Sequence, residues 1–296
     1  MTDLEERIST LRTWSRSEQR APHKPLLMLW ALARVQRAEP RLSPWLEVEP
    51  ALTRLLEDFG PPRQTYHPEH PFWRLQRDRV WEVTGPSGEP LKGVRENPSG
   101  DVGKVALRDA HAMGGLPDAD YLALAAAPCL VNRLAAMLLA SHFPSSLHEE
   151  LLDAVCFPFV PEIRFRPKRY AGFRDEVLQG YDYRCAVCDL SLQLGGKVWG
   201  VEAAHVRWHA AHGPDSFENG LALCVLHHKA LDRGAIGLDD ERHIVVSRKV
   251  SSSPSANTWL IDYHGKRLRE PQAGLPRVAP AHIAWHNREV FRRPGR

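Results

Sequence analysis

Between Gly200 and Gly234 the stretch GVEAAHVRWHAAHGPDSFENGLALCVLHHKALDRG carries five of the fifteen histidines and one of the five cysteines. Two kinds of chemistry claim them. Cys185 and Cys188 form a CxxC pair, and Cys224 and His227 repeat that two-residue spacing 36 positions later. Zinc takes four such ligands at tetrahedral angles, and a short turn presents two of them to one ion. The two half-sites therefore predict a structural Cys3His zinc, which would tie together a short, loop-rich unit. The plainer alternative leaves Cys224 in the core and His227 on a helix surface.

His205, His209, His212 and His228 remain. VWGVEAAHVRWH is rich in β-branched and aromatic residues, which predicts a strand ending near His205. A helix is expected from about Asn219 to Leu231, carrying His228 with Asp232 four residues later on the same face. A strand histidine facing a helical histidine could hydrolyse a phosphodiester. His205 would take a proton from water near neutral pH. His228 would hold a divalent cation that neutralises charge on the phosphorus and leaving oxygen. Asn219, bearing a donor and an acceptor, would orient the base and pin the loop. His209 and His212 read as loop residues or phosphate contacts.

His205, Asn219 and His228, set between the CAVC and CVLH half-sites, resemble an HNH nuclease of the ββα-metal class, over roughly residues 170 to 245. The resemblance implies that His205 activates water, Asn219 supports it and His228 binds a catalytic cation such as Mg²⁺ or Mn²⁺. Many members place an acidic ligand directly before the first histidine, and here that position is Ala204. Glu202, on the same strand face as Ala204, and Asp232 on the helix are the candidate replacements.

The elements that must position these residues follow from composition and periodicity. A chain of 296 residues with 43% hydrophobic and 25% charged residues suits two folded domains. No stretch is long and apolar enough to cross a bilayer: the best, from Tyr121, is interrupted by Pro128, Asn132 and Arg133. The amino-terminal residues lack an apolar signal core, so a cytoplasmic location is expected. Cys129 and Cys156 lie in apolar segments and read as core thiols. Helices are expected at LEERISTLRTWS, at KPLLMLWALARVQR and at SPWLEVEPALTRLLEDFG, the last capped near Ser43 and ended by Gly60. PFWRLQRDRVWEVTG reads as two short strands around a turn at Arg77 to Arg79. Further helices are expected over Tyr121 to Ala127 and Leu130 to Ser141, with Ser145 or Ser146 capping the next. Prolines at 158, 161 and 167 suit a stiff connector. It divides a domain of residues 1–162 from one of residues 163–296.

APHKPLLMLWAL, HPFWRLQRDRVWEV and HFPSSLHEELLDAV resemble the sulfur-binding domain of restriction endonucleases that cut phosphorothioated DNA, a family in which an HNH unit follows. The two resemblances imply an α+β protein: a mostly helical DNA-reading domain, then a ββα-metal nuclease domain with a structural zinc. They imply double-stranded, phosphorothioated DNA as partner. Sulfur in place of a phosphate oxygen is larger, polarisable and poorly hydrated, so its reader should offer an apolar cup beside a cation. The family's cup matches Phe143 and Pro144, with Leu147 three positions on from Pro144. Arg74 and Arg95 are both candidates for its arginine, with His111 near. Lys24 either touches phosphate or begins a solvated helix face. Residues Met1 to Val160 hold 18 Lys and Arg against 21 Asp and Glu, a net −3, and the remainder 21 against 15, a net +6. The first domain must therefore rely on a local basic patch among Arg74, Arg77, Arg79, Lys92 and Arg95.

These features predict a modification-dependent DNA restriction endonuclease. In a second reading the front domain reads a methylated base, caged by Trp73 and Trp81, or ordinary sequence. In a third the HNH fold is inactive, and the protein is a zinc-stabilised DNA-binding regulator. Cutting two strands makes a homodimer a candidate assembly.

Overall fold

The computed structural model describes residues 3–11, 19–158 and 171–293. The proline-spaced connector predicted near residues 160–168 lies outside them. The chain divides into two compact units: Met1–His142 with His148–Phe165, and Phe143–Leu147 with Arg166–Arg296.

The first unit runs α1 (Asp3–Ser9), α2 (His23–Gln36), β1 (Leu42–Pro44), α3 (Trp45–Phe59), α4 (Glu69–Arg74), β2 (Glu82–Thr84), α5 (Lys104–Asp109), β3 (Met113–Gly115), α6 (Asp118–Ala125), α7 (Pro128–His142) and α8 (His148–Ala154). Every residue of α2 from Pro25 to Val35 is buried, which makes it the central helix. Its Leu, Met and Ala content favours that conformation, and Pro25 falls in the first turn, where no N–H is needed. α3 buries Trp45, Val48, Leu52, Leu55, Leu56 and Phe59, one stripe at helical spacing. The strands form an antiparallel sheet in the order β1-β3-β2, with Ser43 and Val83 both opposite Gly114. A Cβ at Gly114 would stand 2.4 Å from the Phe72 ring, so only glycine lets Phe72 and Trp81 pack over the central strand.

Phe72 to Leu75 is not a strand. α4 continues as a 3-10 turn, Leu75–Asp78, and only Glu82–Thr84 is extended. Pro68 and Pro71 preset helical φ at the start, and Arg79 at φ 58° stops the turn. Ser43 does not cap α3 but is buried in β1, and Gly60 ends the helix with extended rather than left-handed backbone. Ser145–Leu147 is itself a 3-10 turn ahead of α8. Cys129 and Cys156 are exposed, not core thiols.

The second unit runs α9 (Ala171–Gly180), β4 (Leu192–Leu194), β5 (Lys197–Trp199), β6 (Val201–His205), β7 (Gly220–Cys224), α10 (Val225–Asp232), β8 (Ile236–Leu238), β9 (Ile244–Val246), α11 (Pro254–Asn257) and α12 (Pro280–Glu289). β6 and β7 pair antiparallel, with Val201 opposite Cys224 and His205 opposite Gly220. Phe173 and Val177 of α9 join Ala203, Leu221, Leu223 and Leu231 in the core. A Cβ at Gly220 would meet Val177 at 2.3 Å, so this glycine lets α9 close over the strand that carries His205. The helix expected from Asn219 begins only at Val225. GLALC is instead a strand buried at every position, and five apolar residues do not by themselves distinguish the two conformations.

Candidate functional site

The second unit places Cys185, Cys188, Cys224 and His227 around one point, with one donor atom from each within 4.8 Å of the others. His227 Nδ1 lies 3.1 Å from Cys224 Sγ and 3.5 Å from Cys185 Sγ, and Cys188 Sγ lies 3.9 Å from Cys224 Sγ. That sulfur separation is close to what two zinc–sulfur bonds of about 2.3 Å span at a tetrahedral angle. His227 Nε2 donates to the Trp259 carbonyl at 3.0 Å, which turns Nδ1 toward the sulfurs. Hydrogen bonding to the other two cysteines pushes the Cys185 thiol up, while the same contacts hold Cys224 down as thiolate. Burial opposes charge on His227, but Cys188 and Cys224 outweigh it and raise its pKa to about 9. Three thiols and an imidazole at these distances could hold a metal ion.

His205 ends β6, as its strand pattern predicts. Its ring stacks on Phe173 of α9, centroids 4.0 Å and planes 18° apart, and its Nε2 lies 2.7 Å from Asp215 Oδ1. Asp215 is the residue that sequence reasoning missed. Asn219 supports the site through the loop rather than through the His205 ring. Its Oδ1 accepts from the Arg207 backbone N–H at 2.7 Å, and its Nδ2 donates to the carbonyls of Arg207 and Pro214 at 2.9 and 3.0 Å. Fully buried, it fixes the ends of the segment that delivers Asp215. His209 stands 3.9 Å from Asp215 Oδ2, and His212 ends a 3-10 turn in left-handed backbone.

His228 lies on α10 between two carboxylates: Glu202 Oε2 is 2.7 Å from Nδ1, and Asp232 Oδ2 is 3.3 Å from Nε2. Burial works against its charge, yet Asp232 and then Glu202 prevail and raise its pKa to about 9. Because the two acids sit at opposite ring nitrogens, they are alternative partners for an ion on His228. Glu202 is half-exposed and Asp232 buried, so the Nδ1 side is the one open to solvent. Ala204, directly before His205, is buried and offers no ligand. Alternation along β6 sends Glu202 toward α10 and the His205 ring toward α9, on opposite faces, and each histidine has its own acid.

The first unit contains a cavity of about 680 Å³ whose lining includes Arg20, Lys24, Arg63, Arg74 and Arg77, with Pro61 and Pro71 between them. Arg74 is held by a bidentate pair with Asp101, both contacts 2.5 Å, and Lys24 is paired with Asp78. Burial first, then the cations around it, lowers the pKa of His23 in the same wall to about 4.

Residues 1–158 match the family described as ScoMcrA-like, DNA sulfur-binding domain, and residues 185–239 match the HNH endonuclease family. The chain belongs to the ScoMcrA-like DNA sulfur-binding domain family. Among solved structures it is similar to the sulfur binding domain of ScoMcrA complexed with phosphorothioated DNA, at 27% identity and TM-score 0.44, covering 52% of this chain and 99% of that one. It is similar to the sulfur binding domain of SprMcrA complexed with phosphorothioated DNA, at 22% identity and TM-score 0.43, covering 52% and 93%. It is also similar to the Type IV phosphorothioation-dependent restriction endonuclease ScoMcrA, at 25% identity and TM-score 0.43, covering 61% of this chain. The match spans 34% of that endonuclease's length. No curated protein matches the chain.

In the sulfur-binding domain the predicted residues fall into separate places. Arg74 and Lys24 line the basic cavity, whereas Arg95 and His111 are exposed and outside its lining. Of the basic patch expected among residues 74–95, Arg74 and Arg77 reach the cavity, joined by Arg20 and Arg63, which sequence reasoning did not single out. Phe143 and Leu147 are buried, Pro144 is half-buried, and all three belong to the second compact unit. Trp81 is a core residue packed on Phe72, and Trp73 donates to Glu96, so the pair forms no base cage.

Proposed function

We propose that the chain is a restriction endonuclease that captures phosphorothioated double-stranded DNA through its sulfur-binding domain and hydrolyses phosphodiester bonds nearby with its HNH domain. The observation that carries this reading is the succession, on one chain, of a sulfur-binding-domain match and an HNH match. The cavity of the first domain supports it. Five basic residues with prolines between them offer charge for the phosphate and apolar surface for the poorly hydrated sulfur.

In the HNH domain Cys185, Cys188, Cys224 and His227 hold a structural zinc, the ion that their donor chemistry and spacing fit. His228 Nδ1 with Glu202 fits a divalent cation such as Mg²⁺ or Mn²⁺, which when bound would neutralise charge on the scissile phosphate and its leaving oxygen. His205 takes the proton from the attacking water at Nδ1, the ring nitrogen opposite the one that Asp215 holds. Asp215 fixes the tautomer and stabilises the imidazolium as it forms. Phe173 keeps the ring in plane, and Asn219 keeps the loop of Asp215 closed. An in-line displacement puts water and leaving oxygen on opposite sides of phosphorus, so His205 would act on the water side and a cation on His228 on the other. Cutting both strands calls for two HNH domains, and a homodimer supplies them.

The test separates capture from cutting. His205→Ala should slow cleavage of a phosphorothioated duplex about 10²- to 10⁴-fold and leave its binding within about threefold, well inside the 1.4 kcal/mol that a tenfold change represents. A folded His205→Ala protein that loses binding as well contradicts the division of labour.

A further inference from the structure

Outside the sites above, three donors converge at the start of α4. His67 Nδ1 lies 2.8 Å from Glu69 Oε1, and the rings of His67 and His70 stack with centroids 4.9 Å and planes 15° apart. One donor atom from each of the three residues lies within 4.8 Å of the others. They belong to the segment HPEHP, in which Pro68, already helical at φ −62°, starts α4 and gathers residues 67, 69 and 70 at one end of it.

Glu69 gives the second observation. It is 6% exposed, and its Oε2 is buried without a hydrogen bond. Lys104 Nζ is 3.9 Å from that oxygen and donates instead to the Tyr66 carbonyl at 3.0 Å. His67 is engaged with the other oxygen, Oε1. A buried carboxylate oxygen with no donor is costly and asks for an explanation, and a cation bound there supplies one.

We propose that His67, Glu69 and His70 bind a divalent ion of the zinc class. Two imidazoles and a carboxylate form a donor set that suits Zn²⁺, Ni²⁺ or Cu²⁺, whereas Mg²⁺ and Ca²⁺ take oxygen ligands. Three protein ligands leave a further coordination position for water or an anion. His70 also lines the basic cavity, and Arg74 lies one turn further along α4. The ion therefore stands in the cavity wall and anchors the helix that presents Arg74. Its charge is faced by Lys104, while Arg74 is already answered by Asp101.

The experiment uses the full chain with its Cys3His cluster filled by one equivalent of Zn²⁺ and the HNH-domain site disabled by His228→Ala. Calorimetric titration with further Zn²⁺ should show one additional equivalent, not displaced by excess Mg²⁺. His70→Ala and Glu69→Gln should each weaken it by at least about 100-fold, more than loss of an outer-shell partner costs. His67→Gln, at a half-exposed ring that the fold does not need, should weaken it by at least about tenfold. Absence of the additional equivalent overturns the proposal, as does uptake that survives all three substitutions in proteins with the parent's circular dichroism.

Discussion

Asp215→Asn isolates the charge beside the proposed base. The asparagine keeps the size of the side chain and an acceptor for His205 Nε2, 2.7 Å from Asp215 Oδ1, but removes the negative charge that answers the forming imidazolium. His205 is 13% and Asp215 27% exposed at the side chain, so solvent screens the pair only in part. A charge-assisted hydrogen bond of this kind contributes about 1.5–3 kcal/mol. If that stabilisation is realised in the transition state, cleavage slows roughly 10- to 100-fold. The assay is single-turnover cleavage of a phosphorothioated duplex at saturating divalent cation, with binding measured separately and expected within about twofold of the parent, less than about 0.5 kcal/mol. A double-mutant cycle sharpens it: once His205 is alanine, Asp215→Asn should cost nothing further, because the carboxylate acts only through that ring. Asp215→Asn cleaving within about threefold of the parent, well short of the tenfold that 1.36 kcal/mol represents, would refute the assignment. A full second loss in the His205→Ala background would refute it equally.

Further outcomes follow from the same geometry. Chelating zinc, or replacing Cys224 by Ser, should remove the cooperative melting of the second unit while leaving that of the first, since structural zinc supplies about 10–16 kcal/mol in comparable small sites; a second unit that melts unchanged without metal argues against the knot. His23 and His142 are held neutral, with pKa values near 4, by burial and then by neighbouring cations, Arg20 in the case of His142. Unfolded, both take a proton near pH 6.5, so their contribution is full above pH 6.5 and is lost as pH falls toward 4, about 2 kcal/mol each by pH 5. Urea midpoints should drop between pH 7.5 and 5, and less so for His142→Gln; a flat profile contradicts the assignment. Arg63→Ala, at an exposed position of the cavity lining, should weaken DNA binding at all sequences and reduce the slope of log K against log salt by about 1. An unchanged slope would remove Arg63 from the interface.

Local patterns in the chain made parts of the second unit legible. Two CxxC-like spacings are enough to bring four ligands together, because each short turn sets its own pair. β-branched and aromatic residues before His205 specify a strand, and i,i+4 spacing sets Asp232 beside His228. The GLALC strand was not legible, since a buried apolar run of five fits helix or strand until a partner is known. Nor was α4: Trp73 and Leu75 suggest alternation, but Pro68 and Pro71 start a helix. Asp215 escaped notice because its role depends on a loop closed by hydrogen bonds from Asn219. The cavity cations come from positions 20, 24, 63, 74 and 77, which share no period and meet only when the helices pack.

The central claim is tested most directly by one duplex prepared with and without a single stereodefined phosphorothioate, incubated with the zinc-loaded chain and Mg²⁺ or Mn²⁺. The account predicts that the sulfur-bearing duplex is bound and cut on both strands near the mark, while the oxygen-only duplex of identical sequence stays intact. Equal cleavage of both, or binding of neither, would contradict it.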